Sequence, residues 1–488
     1  MTLNLALEGL RALLHEPPSA QGWERLRALI EAAPAGEARA LALSYAADHL
    51  RRWPDHLRAA ALEEDLAPWL DPARAPWAPL ARSLRLSLIT WDEPAMARFV
   101  AAPATAALRQ LALHHNTLDE GALGRLCAAP WRAGLRAFQW YNAPPAQVAA
   151  FLRALPPDAA LRALVIAGTA LTHTAPDARR ALMEALRRPA LRHLSLQRLE
   201  LEAADFQALA AAPRAPALEH LDLSGNRLDR AAIAPLLALA GPGLRGLLLG
   251  HNRLLHEGAL ALAAAPALMG LNVLDISYNG IAREESAAAL ARAPWWGGLR
   301  GLNLKGNRLE LGAQRVLARR APARLSWLDL SHAELVEEGL EALGGRPLSS
   351  LRWLGLSDSG LPLGALERLV RAPWWGGLRA LALTGNPLGP GAGRLLARYG
   401  EGLRGLEIGG ANLGAEGLRA LLSRPGGLRL RSLSLVYSRT SARELAALLE
   451  GPGLPALQRL YVDDAFSEEE AAALRARAAA RGVALILA

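Results

Sequence analysis

Cysteine occurs once in this 488-residue chain, at Cys127, and lysine once, at Lys305. A single thiol excludes an internal disulfide and removes the paired-cysteine caps that secreted repeat proteins commonly use, so a reducing cytoplasm fits best. Aromatic residues make up only 5%, yet 52% of the chain is hydrophobic, which excludes a disordered polymer. Long apolar runs are missing as well. The longest uncharged stretch, Gly258 to Leu274, contains Pro266, Gly270 and Asn272, which argues against a membrane span. Met1 to Leu14 is amphipathic with Glu8 and Arg11 inside it, unlike a signal peptide.

There is no block of like charge. The formal net charge is +9, carried almost wholly by 54 arginines, and the first 78 residues hold 8 basic against 11 acidic side chains. A diffuse arginine excess raises non-specific affinity for anions. Readers of nucleic acid add a recognisable motif or a pattern of stacking aromatics, so the composition argues against a nucleic-acid partner.

Motifs of catalysis and cofactor binding are also missing. A phosphate loop needs Gly-Lys, and Lys305 follows Leu304. Gly241-Pro-Gly243-Leu-Arg-Gly246 has dinucleotide-binding spacing but leads into a strand pattern, so no helix start would meet a phosphate. No nucleophile elbow, His-Glu-x-x-His or cysteine cluster occurs. Cys127 sits in the helical pattern Leu123 to Ala129, where a thiol ordinarily packs as a small apolar group. These readings predict a non-enzyme without cofactor or metal.

What is present is a repeat. The pattern Leu-x-x-Leu-x-Leu-x-x-Asn-x-Leu begins at residues 81, 108, 135, 161, 191, 218, 244, 271, 299, 325, 351, 378, 403, 430 and 457, fifteen units spaced by 25 to 30 residues. The clearest copies are Leu218-Glu-His-Leu221-Asp-Leu223-Ser-Gly-Asn226-Arg-Leu228 and Leu299-Arg-Gly-Leu302-Asn-Leu304-Lys-Gly-Asn307-Arg-Leu309. Leu-x-Leu alternation predicts a short strand with one buried face. The Asn side chain at the following turn can satisfy backbone groups of neighbouring coils. A helical pattern completes each unit, as in Glu257 to Ala265 before Pro266 and Glu338 to Leu343 before Pro347. Strand, turn and helix repeated predict an α/β solenoid, a horseshoe with a parallel β-sheet on its concave face and α-helices on its convex face, and an inner arc of roughly 70 Å.

On these residues the chain resembles the leucine-rich-repeat family. Unit length and the Gly-Ala-Leu helix start resemble its ribonuclease-inhibitor-like subclass and the bacterial repeats named for Gly-Ala-Leu-Ala. The segment Tyr45-Ala-Ala-Asp48-His-Leu50-Arg-Arg-Trp53-Pro-Asp55 resembles a helical companion domain that precedes bacterial leucine-rich repeats. The resemblance implies a bacterial protein-binding scaffold. It also leaves open a delivered effector or ubiquitin-ligase adaptor, although residues 1–78 carry no clear F-box, or an inhibitor or regulator of an enzyme such as a nuclease or small GTPase.

The ends read differently from the repeats. Residues 1–78 show helical periodicity over Leu3 to Leu14, Trp23 to Ala33, Ala38 to Arg52 and Leu57 to Trp69, with breaks at Pro17-Pro18, Pro34 and Pro54, and predict a four-helix domain ahead of a solenoid spanning 79–466. Over 467–488, Ser467-Glu-Glu-Glu470 reads as a capping box that opens a helix to about Arg481. Gly482 and the run Val483 to Leu487 then predict a sixteenth, closing strand.

Strand alternation lets the concave surface be read by column. The column between the last two leucines runs Arg85, Ala112, Gln139, Val165, Ser195, Asp222, Leu248, Asp275, Asn303, Asp329, Gly355, Ala382, Glu407, Ser434 and Tyr461. Its centre is acidic in a basic protein. The neighbouring column sets Trp327 beside Trp353, and the turns add Tyr278, His332 and Asp358. Asp222, Asp275, Asp329 and Asp358 with Trp327, Trp353, Tyr278, His332 and Lys305 therefore form the candidate surface for a protein partner that presents basic and apolar groups. Against this stands a solvated ladder in which each Asp bonds its neighbouring strands and the Trp pair shields the sheet.

Two further features stand out. His193 and His220 occupy matching places in adjacent units with Asp222 nearby, a pattern compatible with zinc or with proton sensing. Arg292-Ala-Pro-Trp295-Trp296-Gly-Gly-Leu-Arg300 is duplicated at Arg371 to Arg379, with Trp374 and Trp375, and is echoed by Ala129-Pro130-Trp131. The simpler expectation is that one indole of each pair packs under the adjacent helix while Gly-Gly turns the chain.

Overall fold

The structure, a computed structural model, describes residues 3–156, 159–168, 190–210 and 218–488. Its contacts define two compact units. The first runs to Asn226 and adds Ala238–Gly241, and the second takes Arg227–Leu237 and Pro242–Ala488.

Each unit is an α/β leucine-rich-repeat solenoid. In the first, Ala59–Glu63, Ser83–Ser87, Gln110–His114, Ala137–Tyr141, Ala163–Ala167, His193–Gln197 and His220–Asp222 pair in parallel, each with the next. In the second, a parallel ladder runs from Gly246–Leu248 through Val273–Asp275, Gly301–Asn303, Trp327–Asp329 and Trp353–Gly355 to Arg459–Val462 and Ala484–Leu487. The column read from the leucines is the observed register within both ladders. A slip of one residue would turn each leucine from the core to water, so the apolar pattern pins the pairing.

The second and third leucines of each coil are buried, as with Leu302 and Leu304 or Leu354 and Leu356, and each such side chain contributes about 1.5–3 kcal/mol. Helices of successive coils pack on each other, Glu284–Arg292 against Leu311–Arg319 and Gly391–Tyr399 against Gly414–Leu422. No helix among the described residues is long and apolar enough to cross a membrane.

The consensus Asn ties the coils together. Fully buried Asn307 donates from Nδ2 to the carbonyls of Ile276 at 2.9 Å and Leu304 at 3.0 Å, while Oδ1 accepts from the N–H groups of Asn279 at 3.1 Å and Ile281 at 3.0 Å. Asn226 and Asn386 repeat the arrangement. Where Ser359 stands at that place, its hydroxyl reaches the Leu330 and Ser357 carbonyls, both at 3.1 Å.

The residue before the Asn is held at positive φ in coil after coil. In the second unit these are His251, Tyr278, Gly306, His332, Asp358, Gly385, Gly410 and Tyr437. The kink keeps the ladder going: Tyr278 N–H donates to Lys305 O at 2.7 Å and His332 N–H to Ser357 O at 2.8 Å. Side chains from these places lean over the next coil, and glycine supplies the room. The Tyr278 ring covers Gly306 and the Asp358 carboxylate covers Gly385.

One expected helix is a strand. Leu3–His15, Ala20–Ala32 and Glu37–His49 are helical, but within Leu57 to Trp69 the segment Ala59–Glu63 pairs with Ser83–Ser87, and only Ala67–Leu70 turns helically. Leu57, Ala60 and Leu62 occupy the places of the three repeat leucines, so a coil precedes the one at residue 81. Ala60 in place of leucine weakened its pattern. The helices join this coil through buried tryptophans: Trp23 Nε1 donates to Ala59 O at 2.7 Å, Trp77 Nε1 to Glu31 Oε1 at 2.6 Å, and the two rings meet edge-on at 6.2 Å. Buried Arg58 donates to the Leu80 and Leu50 carbonyls, and burial, with Arg82 adding, lowers its pKa to about 10.

At the carboxyl end Ser467 and Glu470 form a reciprocal capping box ahead of Glu468–Ala480. Gly482, at φ +71°, turns the chain into Ala484–Leu487, which pairs with Arg459–Val462.

Candidate functional site

Eight of the nine residues of the candidate surface belong to the second unit, and Asp222 to the first. Parallel register sets Trp327 opposite Trp353, and their rings stack at 5.1 Å with 24° between planes. Both are half-buried. Gly355 makes this possible: a β-carbon there would come within 2.6 Å of Trp353 Cη2 and 2.5 Å of Asp329 Oδ1, too close for either.

The carboxylates are less free than the sequence implied. Asp275 Oδ2 accepts from Asn303 Nδ2 at 2.8 Å and Oδ1 from Ser277 N–H at 2.8 Å. Asp329 is only 8% exposed and accepts from Ser331 N–H at 2.9 Å. In the first unit Asp222 accepts from Gln197 Nε2 at 2.6 Å and from the Ser224 hydroxyl at 2.7 Å. These three therefore are not unpaired acids but rungs that tie a strand to its turn or neighbour. Each replaces water by a directed donor, which is why short Asp side chains recur in the column.

Asp358 is different. Its carboxylate is exposed and lies 3.4 Å from His332 Nε2, an ion pair when the imidazole is protonated. His332 in turn sits 6.1 Å from Tyr278, whose ring stacks on His251 at 4.2 Å. The positive-φ turn places thus carry a row of aromatic and charged groups, from His251 to Asp358. Lys305 acts at a distance. Desolvation raises the Glu407 carboxyl although its surface is open, Asp329 raises it further, and Lys305 opposes both.

His193 and His220 do stack, at 4.8 Å and 7°. Burial lowers the His220 pKa, His193 lowers it further and Glu219 opposes. Asp222 spends its oxygens on Ser195, Gln197 and Ser224, and no group of three or more His, Cys, Asp or Glu among the described residues could hold a metal ion. All four indoles of the Trp-Trp segments are buried, Trp375 being the most exposed at 5%. Trp296 Nε1 donates to Arg320 O at 2.8 Å and Trp375 Nε1 to Tyr399 O at 2.9 Å, so they anchor the turn to the following helix end. Cys127 is half-buried in Glu120–Ala128, and burial raises its thiol pKa.

A column overlooked in the sequence lies directly after the first leucine. It reads Arg82, Arg109, Arg136, Arg162 and Arg192 before Glu219 in the first unit; in the second, Arg245 and Arg300 alternate with Asn272 and Ser326, and Arg352, Arg379, Arg404 and Arg431 then follow without a break. The signal was present in the repeat alignment but falls outside the strand positions that face one side of the sheet.

No protein-family model matches the chain, and no curated protein matches its sequence. Among solved structures it is similar to an internalin from Listeria monocytogenes, at 16% identity and TM-score 0.32, covering 68% of this chain and 81% of the other. It is also similar to the yeast Rad7 and Elc1 complex, at 14% identity and TM-score 0.41 over 96% and 92%. A third is the Drosophila Toll and Spatzle complex, at 16% identity and TM-score 0.35 over 85% and 51%. The repeat class rests on the register and the Asn ladder described above.

Proposed function

We propose that this chain is a non-enzymatic scaffold that binds a protein partner on the open sheet face of its second unit. The stacked, half-exposed Trp327 and Trp353 carry the reading. Paired indoles offer a large rigid apolar surface at low entropic cost, and aromatic anchors next to charge are what interface hot spots contain. Asp329 stands beside the pair at Gly355, and Asp358, His332, Tyr278, Lys305 and Asp275 lie on the same and the preceding coils. Asp222 stands in the first unit, where it would be a separate polar contact. The partner would present basic and apolar groups.

Coils of 25 to 30 residues with a helix in each support the ribonuclease-inhibitor-like subclass. The single cysteine and arginine-rich composition support a bacterial, cytoplasmic setting. We further propose that the helices within 3–49 cap the first unit ahead of its opening strand Ala59–Glu63, and that the segment 467–488 caps the second, since terminal coils need a polar cover.

The test is affinity capture from native lysate with the intact protein beside a folded variant carrying Asp275→Arg, Trp327→Ala and Trp353→Ala. A protein retained by the intact chain and lost by the variant supports the reading. Equal capture by both removes it.

A further inference from the structure

We infer that the arginine edge of the second unit is a docking site for an extended acidic segment of a protein partner, separate from the sheet face. Arg352, Arg379, Arg404 and Arg431 enter four successive strands in register: the N–H groups of Arg379, Arg404 and Arg431 each donate to the preceding arginine's carbonyl at 2.6–2.7 Å, and Arg352 N–H donates to Ser326 O at 2.9 Å. Neighbouring strands lie about 4.8 Å apart, and like charges set directly opposite on them repel.

Their anchoring does not account for that charge. Arg352 Nη1 donates to Ser349 O at 2.8 Å and Leu351 O at 2.9 Å. Arg379 Nη1 reaches the Gly376, Leu378 and Gly402 carbonyls, and Arg404 Nη1 those of Glu401, Gly402 and Leu403. One nitrogen of each of these three guanidinium groups is held, while their Nε and Nη2 have no protein acceptor among the described residues. That is a pre-oriented fork of the kind that takes a carboxylate on two N–H groups.

Beside the ladder lies an open groove of about 540 Å³ lined by Arg379, Arg398, Arg404 and Arg429. The acid in its lining, Glu401, is already paired with Arg424 at 2.8 Å. The groove therefore carries a surplus of positive charge toward solvent. Its aromatic residues cannot stack nucleobases: Trp375 is buried, and the Tyr399 ring carries the Arg398 guanidinium at 5.2 Å. Single-stranded nucleic-acid sites need such free rings. The sheet face on the other side of the ladder holds Glu407 and Asp329, which would repel a continuous phosphate backbone. A short acidic peptide confined to the edge meets neither obstacle.

The test uses the full chain and a fluorescent Asp/Glu-rich peptide of about eight residues, long enough at ~3.3 Å per residue to run past four rungs. A thymidine oligonucleotide of equal charge serves as comparison. Arg398→Glu with Arg429→Glu is the informative variant, because neither side chain holds a backbone carbonyl in the structure. A second variant, Arg379→Gln with Arg404→Gln, retains donors for the carbonyls. The expected result is salt-sensitive peptide binding that weakens at least about tenfold in both variants, with weaker oligonucleotide binding. Absence of peptide binding to the intact protein, equal affinity in the variants, or tighter oligonucleotide binding lost in the variants would each overturn the inference. Because Trp327 and Trp353 are untouched, loss of sheet-face capture with peptide binding intact would count against the proposed function alone.

Discussion

The ring of Tyr278 fills the space that a β-carbon on Gly306 would occupy, and both residues hold positive φ at the same place in consecutive coils. Asp358 and Gly385 repeat the relation. Where the side chain lies across the next turn, as at these two places, glycine supplies the room; elsewhere the neighbours meet side by side, His251 stacking on Tyr278 and His332 facing Asp358.

Gly306→Ala should accordingly destabilise the second unit by about 1–3 kcal/mol, from left-handed backbone strain plus the clash. Tyr278→Ala in the same chain should recover the steric part. Denaturant titration of the two single variants and the double variant reads the coupling, and strict additivity would show that the ring is not the obstacle.

Asn307→Ala removes four backbone partners at a fully buried place. Leaving those groups unsatisfied should cost roughly 1–3 kcal/mol or more. Hydrogen exchange should rise at Asn279 and Ile281, whose N–H groups lose their acceptor. Unchanged protection at both amides would contradict the ladder role.

Glu407 and His220 give opposite pH responses. The folded Glu407 pKa is raised, chiefly by desolvation, so the folded state holds that proton more tightly, and ionisation opposes folding above the unfolded value of about 4.3. Glu407→Gln should raise Tm near about pH 7 and lose that gain below about pH 4. A gain that persists in acid would point to another cause.

The folded His220 pKa is lowered, first by burial and then by His193. Its contribution is present above the unfolded value of about 6.5 and is lost as pH falls through the folded value, because the unfolded chain takes the proton first. His220→Gln should flatten the Tm decline on the acid side of that window. Titration of the ring by NMR with a midpoint above the ordinary imidazole value would refute the assignment.

Cys127 should react slowly with a thiol reagent, since burial raises its pKa and limits access. Denaturation should restore the rate of a free thiol. Fast labelling of the folded protein would mean that Glu120–Ala128 opens readily.

Leucine spacing and Asn positions were sufficient to read strand register across both ladders, because each coil repeats the same local demand: bury two leucines and satisfy one turn. The same logic exposed Trp327 beside Trp353. It could not expose the fate of the carboxylates, since Asp275 finds Asn303 on the following coil and Asp329 is buried beside Gly355 of the following strand. Nor could it show that both indoles of each duplicated segment are buried, because the carbonyls that take the Trp296 and Trp375 N–H groups, at Arg320 and Tyr399, belong to the ends of later helices.

The residues alone determined a repeating strand, turn and helix, its register and its closing strand, for these follow from periodicities within a single unit. Tertiary structure decided whether Leu57 to Trp69 would be helix or strand. Its apolar spacing serves either, and only pairing with Ser83–Ser87 supplies the hydrogen bonds that make Ala59–Glu63 a strand. It likewise decided which charges stay open to a partner: a carboxylate or guanidinium is free or spent according to neighbours from coils about 25 residues away in sequence, and those coils become neighbours only when the chain has wound.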